Sequence, residues 1–539
     1  MITLENVTLT YPDADRPALH EVDLTIPEGE LALVVGRTGS GKSSLLRVVN
    51  GLAPTFTGGT LRGRVTVAGR DTAHYPPREL ADVVGVVLQD PRDGFVTEVV
   101  EDEIAYGMES LGLSPDVMRR RVEESLDLLG LNDIRHRPLR SLSGGQQQRA
   151  AIASVLAQHP SVLVLDEPTS ALDPGAAEEV LAAVQRLVHD LGLTVLMAEH
   201  RLERVVQFAD RIIHVHAGGR VSDGSPAQVM VDAPVAPPVV ELGRWAHWSP
   251  LPLNIRDARR LAAPLRQTLQ AQVAELGTLR ARARPAGQAA APPAALVRDL
   301  RVRYGSHEVL HAVDLAVRPG EVLAVMGRNG AGKSTLLRSL VGLSSPTSGS
   351  VRVGGEDPAT LSGSALTGRV GMVPQEPGDL LWTESVRAEC AESSDPSQAA
   401  HLFDELAPGV DHDTHPRDLS EGQRLALALA VVLAEGAPVL LLDEPTRGLD
   451  YPTKHRLAAL LRRRADAGDA VVVATHDVEL AADLADRTVV VAEGDIVTDG
   501  PTRQVVMDSP QFAPQVAKVL APLPLLTVAD LRAALPGAL

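Results

Sequence analysis

The sequence predicts an α/β chain of two similar domains in tandem, each built around a phosphate-binding loop. A glycine-rich phrase closing on Lys-Ser occurs twice, as Gly36-Arg37-Thr38-Gly39-Ser40-Gly41-Lys42-Ser43 and as Gly327-Arg328-Asn329-Gly330-Ala331-Gly332-Lys333-Ser334. Both fit G-x-x-x-x-G-K-[ST]. An unbroken apolar run ending in Asp-Glu-Pro follows each of them, as Val162–Pro168 and Val439–Pro445, and such runs suit parallel strands buried on both faces. Further landmarks repeat in the same order in both halves.

Composition narrows the class. Only four of the 51 basic side chains are lysine (Lys42, Lys333, Lys454, Lys518), and two of those close the glycine phrases. A chain that otherwise uses arginine keeps the compact ammonium where a rigid fork would not thread the loop. Aromatics are 2% of the chain, so the cores are aliphatic. The net charge of −18 argues against sequence-independent nucleic-acid binding. Cys390 is the only cysteine, which removes intrachain disulfides and cysteine-based zinc sites.

The chain opens on Met1–Asn6, which alternates as a strand and carries no signal-peptide pattern. Tyr11 comes next, with Tyr304 at the matching place of the second half; each suits stacking on adenine or plain core packing. In the glycine loops, backbone N–H groups and the following helix N-terminus face phosphate. Lys42 and Lys333 neutralise β/γ oxygens, and Ser43 and Ser334 offer hydroxyls to Mg²⁺. Gln89 and Gln375 follow, placed to reach the metal or the attacking water. Ser143 follows Gln89 by 54 positions, but Ser420 follows Gln375 by only 45. Then come Leu142-Ser143-Gly144-Gly145-Gln146 and Leu419-Ser420-Glu421-Gly422-Gln423. Here the spacing is the same in both halves, 23 positions from Ser143 to Asp166 and from Ser420 to Asp443, so this part is held at constant length while the middle segment is not. Asp166 and Asp443 are read as Mg²⁺ holders, and Glu167 and Glu444 as the groups that polarise water. His200 and His476 follow the glutamates by 33 and 32 positions and suit a γ-phosphate contact. The lipophilic stretch Leu425–Leu442 contains Glu435, Gly436 and Pro438 and reads as a buried helix, a break and a buried strand rather than a membrane span.

A tail repeats as well. Pro250-Leu251-Pro252-Leu253 with Ile255, Asp257 and Arg259 matches Pro522-Leu523-Pro524-Leu525 with Val528, Asp530 and Arg532. The expected boundaries are a first domain at 1–243, its C-terminal extension and an Ala/Pro-rich linker at 244–293, a second domain at 294–524 and a tail at 525–539. A helix is expected around Leu265–Ala283, then a flexible Pro/Ala stretch from Pro285 to Pro293.

The Leu-Ser-Gly-Gly-Gln phrase upstream of an acidic strand end resembles the ATPase subunits of ABC systems, over about 230 residues in each half. The resemblance implies two P-loop NTPase domains of the ABC type, each with a helical subdomain and a short C-terminal extension. It also implies ATP and Mg²⁺ as cofactors, and intramolecular head-to-tail pairing. One site would join Lys42, Glu167 and His200 to Ser420, Gly422 and Gln423; the other would join Lys333, Glu444 and His476 to Ser143, Gly145 and Gln146. Asp173 and Asp450 match the loop that crosses between sites. Residues 90–107 and Glu199-His200-Arg201-Leu202-Glu203 are similar to the energy-coupling-factor (ECF) importers of vitamins and metal ions. That implies an integral-membrane coupling subunit and a substrate-capture subunit as partners, no nucleic acid, and a place on the cytoplasmic face of the membrane. A soluble tandem ATPase acting on ribosomes or DNA, and the ATPase of a sugar importer, are the rival readings. The sequence shows neither the substrate nor the direction of transport.

Two finer expectations follow. Glu98, Glu101 and Asp102 would share one face of a helix, either as a docking surface for partner arginines or as a solvated face. Glu421, standing where the first half has Gly144, would face the Lys42 nucleotide and weaken that site by repulsion, or turn away toward the membrane partner or an arginine.

Overall fold

The computed structural model describes all residues except Asp13, Asp15, 277–291, Gln511 and 536–539; for 271–276 only the backbone is described. The chain divides into two compact units. One comprises Met1–Val240 and Ser249–Leu253, the other Glu241–Trp248 and Asn254–Leu539.

In the first unit, strands β1 (Ile2–Thr10), β2 (Leu19–Ile26), β4 (Thr60–Val67) and β5 (Arg70–Asp71) form an antiparallel sheet in the order β2-β1-β4-β5. Alternation of buried and exposed residues along β1 puts Ile2, Leu4, Val7 and Leu9 into the core. A second sheet has the order β10-β9-β3-β8-β7-β6, from β3 (Leu31–Val35), β6 (Val84–Val87), β7 (Val162–Asp166), β8 (Thr194–Ala198), β9 (Arg211–Val215) and β10 (Val221–Gly224). All its pairs are parallel except β9–β10. Every residue of β3 and β8 is buried, as an apolar parallel strand covered on both faces requires.

The second unit repeats the plan. Strands β11 (Ala295–Tyr304), β12 (His307–Val317) and β14 (Ser348–Val353) make a three-stranded sheet. The larger sheet runs β15-β16-β17-β13-β18-β19, from β13 (Val322–Met326), β15 (Val370–Val373), β16 (Val439–Asp443), β17 (Ala470–Ala474), β18 (Arg487–Ala492) and β19 (Asp495–Pro501). The helix Glu421–Ala434 and β16 occupy the lipophilic stretch, with the break between them at 435–438.

The nine-residue difference between the halves falls in two helices. The first unit carries helices Val100–Ser110 and Pro115–Leu129, and the second Val386–Ala391 and Pro396–Leu406, five and four residues shorter. Phe403 fills the shortened subdomain as one of the largest fully buried side chains.

The two tail repeats share their local geometry. Each Pro-Leu-Pro-Leu run begins at a cis peptide bond, Ser249-Pro250 or Ala521-Pro522. Each leads to a capped helix, Ile255–Leu261 behind Asn254 and Val528–Ala534 behind Thr527. The segment from Asn254 belongs to the second unit. There Ile255–Leu261 packs against the helix Gln515–Leu520, and Ala263–Leu276 against Val528–Ala534. The Arg266 guanidinium donates to the Val519 carbonyl at 2.9 Å. The rest of the expected linker helix, and most of the Pro/Ala stretch, lie outside the described residues.

Candidate functional site

Each glycine loop joins the buried strand β3 or β13 to a helix, Lys42–Val49 or Lys333–Leu340. The loop needs its glycines. Gly41 and Gly332 cap the helices at φ 108° and 105°. A Cβ on Gly41 would stand 2.4 Å from the Ala18 carbonyl oxygen. The lysine folds back over its own loop: Lys42 Nζ donates to the carbonyls of Gly36 and Arg37 at 3.2 Å each, and Lys333 Nζ to those of Gly327 and Arg328 at 2.9 and 3.1 Å. Both lysines are buried.

The acidic strand ends close on this loop. Ser43 Oγ lies 3.5 Å from Asp166 Oδ1. Burial, then the neighbouring Glu167, raises Asp166 to about 6. Asp443 is also raised, chiefly by burial, and Ser334 opposes the shift by hydrogen bonding. An isolated carboxylate here is costly, so a cation beside it would relieve the site. The donor set fits ATP with a divalent cation: hydroxyl and carboxylate oxygens suit a hard ion, and the buried Ser40 Oγ and Asp443 Oδ1 have no hydrogen-bond partner.

Glu167 and Glu444 are the next residues. Both hold left-handed backbone, φ 50° and 52°, where a non-glycine residue is strained. Their amides are tied across the sheet, Glu167 N–H to the Ala198 carbonyl and Glu444 N–H to that of Ala474. The Glu167 carboxylate accepts from Gln89 Nε2 at 3.1 Å and meets His200 Nε2 at 2.9 Å. The Glu444 carboxylate meets His476 Nδ1 at 2.8 Å and Lys333 Nζ at 3.8 Å, and accepts from Thr475 Oγ1 at 3.2 Å. The structure thus gathers the glycine loop, the Asp-Glu pair and the histidine within each half, and in the first half Gln89 with them. Gln375 sits two residues beyond β15, at the place Gln89 holds beyond β6.

The Leu-Ser-Gly phrases form helix starts. Ser143 and Ser420 are N-caps with complete capping boxes to Gln146 and Gln423, so serine and glutamine define the turn that presents Gly145 and Gly422. Asp173 and Asp450 likewise cap the helices Pro174–His189 and Tyr451–Asp466. Tyr11 packs partly against the core, its hydroxyl donating to Ser44 Oγ at 3.0 Å; Tyr304 hydrogen-bonds Ser344 Oγ at 2.8 Å with much of its ring exposed.

One expectation is corrected, and another is resolved between its alternatives. Glu98 precedes the helix Val100–Ser110, so it does not share a helical face with Glu101 and Asp102. Glu101 is held internally by Arg135 at 2.9 Å, and only Glu98 and Asp102 are exposed. Glu421 does not stand as a lone carboxylate: it lies 2.6 Å from Arg447 Nε.

Sequence reasoning missed three groups. Glu103 accepts from Val96 N, Thr97 N and Thr97 Oγ1 at 3.0, 2.7 and 2.9 Å. Glu389 does the same for Trp382 N, Thr383 N and Thr383 Oγ1 at 3.2, 3.0 and 2.7 Å. The repeat contains this signal, a threonine six places before a glutamate in both halves. Glu199, wholly buried, accepts from Thr169 N and Oγ1 at 2.8 and 2.6 Å and from His200 N at 3.1 Å. Its counterpart Thr475 is a different residue type, so comparing the halves gives no sign of it.

The sequence matches known proteins along nearly its whole length. Residues 19–170 and 310–447 match the family described as ABC transporter. A putative ABC transporter ATP-binding protein of Streptomyces avermitilis is 60% identical over 562 aligned positions, covering 99% of this chain and all of the relative. One from Methanosarcina acetivorans is 34% identical, over 98% of this chain and 90% of the relative. The solved structure of cbiO1 from Clostridium perfringens, described as part of the ABC transporter complex cbiONQ, is 29% identical with a TM-score of 0.39, covering 43% of this chain and 90% of that one. Among the described residues no helix is long and apolar enough to cross a membrane. The chain belongs to the ABC transporter family, as a tandem ATP-binding and ATP-hydrolysing protein that energises transport.

Proposed function

We propose that this chain is the fused ATPase pair of an ECF-type importer for a vitamin or metal ion, acting at the cytoplasmic face of the membrane. The observation that carries the reading is the rim after Gln89. Val96 and Tyr106 are 61% and 40% exposed, and the acidic Glu98 and Asp102 are exposed beside them. Glu103 pins the backbone of that rim from beneath. An apolar and acidic rim on a fixed loop suits a coupling helix with arginines from an integral-membrane subunit; a second membrane subunit would capture the substrate.

In this mechanism the two halves pair head to tail. ATP on Lys42 meets the Ser420-Gly422-Gln423 signature, and ATP on Lys333 meets that of Ser143-Gly145-Gln146, with Asp173 and Asp450 between the sites. The lysines leave their loop carbonyls to neutralise β- and γ-phosphate oxygens. Tyr11 and Tyr304 receive adenine. Ser43, Gln89 and Asp166, and in the second half Ser334, Gln375 and Asp443, would hold Mg²⁺, which screens phosphate charge. Glu167 and Glu444 accept hydrogen bonds from the attacking water and draw on its proton. Gln89 and His200 fix the Glu167 carboxylate; Thr475 and His476 fix that of Glu444. The His200 and His476 rings turn to the γ-phosphate when it is present.

The test is reconstitution. The chain is co-expressed with the membrane proteins encoded beside its gene, and the detergent-extracted complex is assayed for ATP-driven substrate uptake in vesicles. A stoichiometric complex with uptake supports the reading. A chain that leaves those membrane proteins unbound and sediments with ribosomes overturns it in favour of a soluble tandem ATPase.

A further inference from the structure

Arg447 stands between two carboxylates of its own half. Its Nε lies 2.6 Å from Glu421 Oε1, and its Nη1 donates to Glu376 Oε1 at 2.8 Å. Arg447 and Glu421 are nearly buried, with 12% and 16% of their side chains exposed. The three residues come from three separate segments. Glu421 opens the signature helix, Glu376 directly follows Gln375, and Arg447 lies in the turn leading to Asp450. The packing is matched to the pair: Gly448, at φ 69°, lies so close to Glu421 that an added Cβ would stand 3.1 Å from the Glu421 Cβ.

The first half has no such bridge. Gly144, Asp90 and Ser170 occupy the equivalent places, and Ala171 replaces Gly448. Asp90 is held by Arg92 of its own loop, with Nε at 2.9 Å, and Ser170 is buried and neutral. Two of the three charges that link these segments in one half are thus missing from the other, and the third, Asp90, turns to an arginine of its own loop.

We propose that Arg447 is a positioning residue, bridging Glu421 and Glu376 so that the second signature, the loop after Gln375 and the turn before Asp450 move as one piece. The proposal rests on the head-to-tail pairing above, in which this signature serves the nucleotide on Lys42. A guanidinium paired with carboxylates of two separate segments removes freedom those segments would otherwise lose on closing. The signature offered to the Lys42 site is therefore fixed relative to its neighbouring segments before ATP arrives, whereas the Ser143 signature, capped in the same way but with Gly144 at the bridging place, takes up that relation on closure. The Lys42 site binds ATP more tightly in consequence, the reverse of what an unpaired Glu421 would cause.

The experiment measures equilibrium binding of labelled ATP to the full chain, at the Lys42 site in a Lys333→Ala background and at the Lys333 site in a Lys42→Ala background. The variants are Arg447→Ser, Arg447→Lys, Glu421→Gln and the Arg447→Ser/Glu421→Gln double variant, with melting curves run on each. Arg447→Ser weakens binding at the Lys42 site about tenfold, within the usual range for coupling between sites. It leaves the Lys333 site unchanged. Glu421→Gln weakens the same site less, Arg447→Lys restores part of the loss, and the double variant is no worse than Arg447→Ser alone. Ser420→Arg separates the two levels of the argument by obstructing the signature directly. If Ser420→Arg weakens the Lys42 site while Arg447→Ser does not, the bridge is overturned and the pairing stands. If Ser420→Arg leaves the Lys42 site untouched, the pairing fails and the bridge with it. Equal loss at both sites with a lowered melting temperature makes Arg447 a stabilising residue only, which also overturns the proposal.

Discussion

His200 reaches the carboxylate of Glu167 with its Nε2 at 2.9 Å, although the two residues lie 33 positions apart. The contact joins the ends of β7 and β8, neighbouring parallel strands with Asp166 in register with Ala198. A histidine placed just past one strand and a glutamate just past the next must then meet. The same register, Asp443 beside Ala474, brings His476 to Glu444.

Replacing Glu167 and Glu444 together by Gln is expected to leave ATP binding intact and to lower the hydrolysis rate by ~10²–10⁴-fold, the usual cost of losing a group that activates water. Single-turnover phosphate release, alongside ATP binding, checks this. More than half the wild-type turnover would remove both glutamates from the chemistry.

Glu103→Ala is expected to lower stability by roughly 1–3 kcal/mol for each backbone N–H left unpaired beneath the rim. The substitution should also make the chain near Val96 and Thr97 a new proteolytic site. Glu389→Ala should do the same near Trp382. Urea melts with limited proteolysis check both; an unaltered digest would leave the buried carboxylates without a structural task.

Charge reversal should separate the acidic residues before and within the Val100 helix. Glu101→Lys breaks the Arg135 brace and lowers the melting temperature of the isolated chain. Glu98→Lys with Asp102→Lys spares melting temperature and ATPase activity but weakens retention of the membrane subunits. Retention is compared at low and physiological salt, since exposed charges are screened. Undiminished retention at both would place the docking surface elsewhere.

Burial, then the nearby His216, pushes His214 down to about 4. The unfolded chain takes up a proton near pH 6.5 that the native state does not bind until about 4. His214 therefore costs stability progressively as pH falls through that window, and adds no further loss below it. His214→Leu should lose less stability between pH 7 and pH 5 than wild type. Parallel urea midpoints at the two values would show otherwise if the histidine is protonated in the fold.

How far the site was legible follows from what fixes each residue. Lys42, Ser43, Asp166 and Glu167 stand in fixed motifs on a strand-loop-helix frame, so their meeting could be read from order alone. The sheet order that sets β6, β7, β8 and β3 side by side brings Gln89 and His200 to Glu167. Arg447 was not legible, because its two partners lie 26 and 71 positions upstream and its first-half counterpart is a neutral serine. Glu101 misled for a related reason: its charge suggested solvent, and Arg135 supplied a partner from a loop 34 positions away.

The packing of Asn254–Leu276 into the second unit bears on how this polypeptide divides. Ala258, Ala262 and Leu269 are fully buried, and Val516, Val519 and Leu520 on the opposing tail are buried too. Cutting the chain between 277 and 291 would strand these helices on the wrong fragment and strip the Gln515 helix of its cover. Fragment complementation should therefore succeed with a junction ahead of Glu241, which keeps Glu241–Trp248 as well as Asn254–Leu276 with the second unit, and not with one in the Pro/Ala stretch where the repeat itself suggests a seam. Gene fission, like laboratory dissection, would have to respect a boundary that lies well before that stretch.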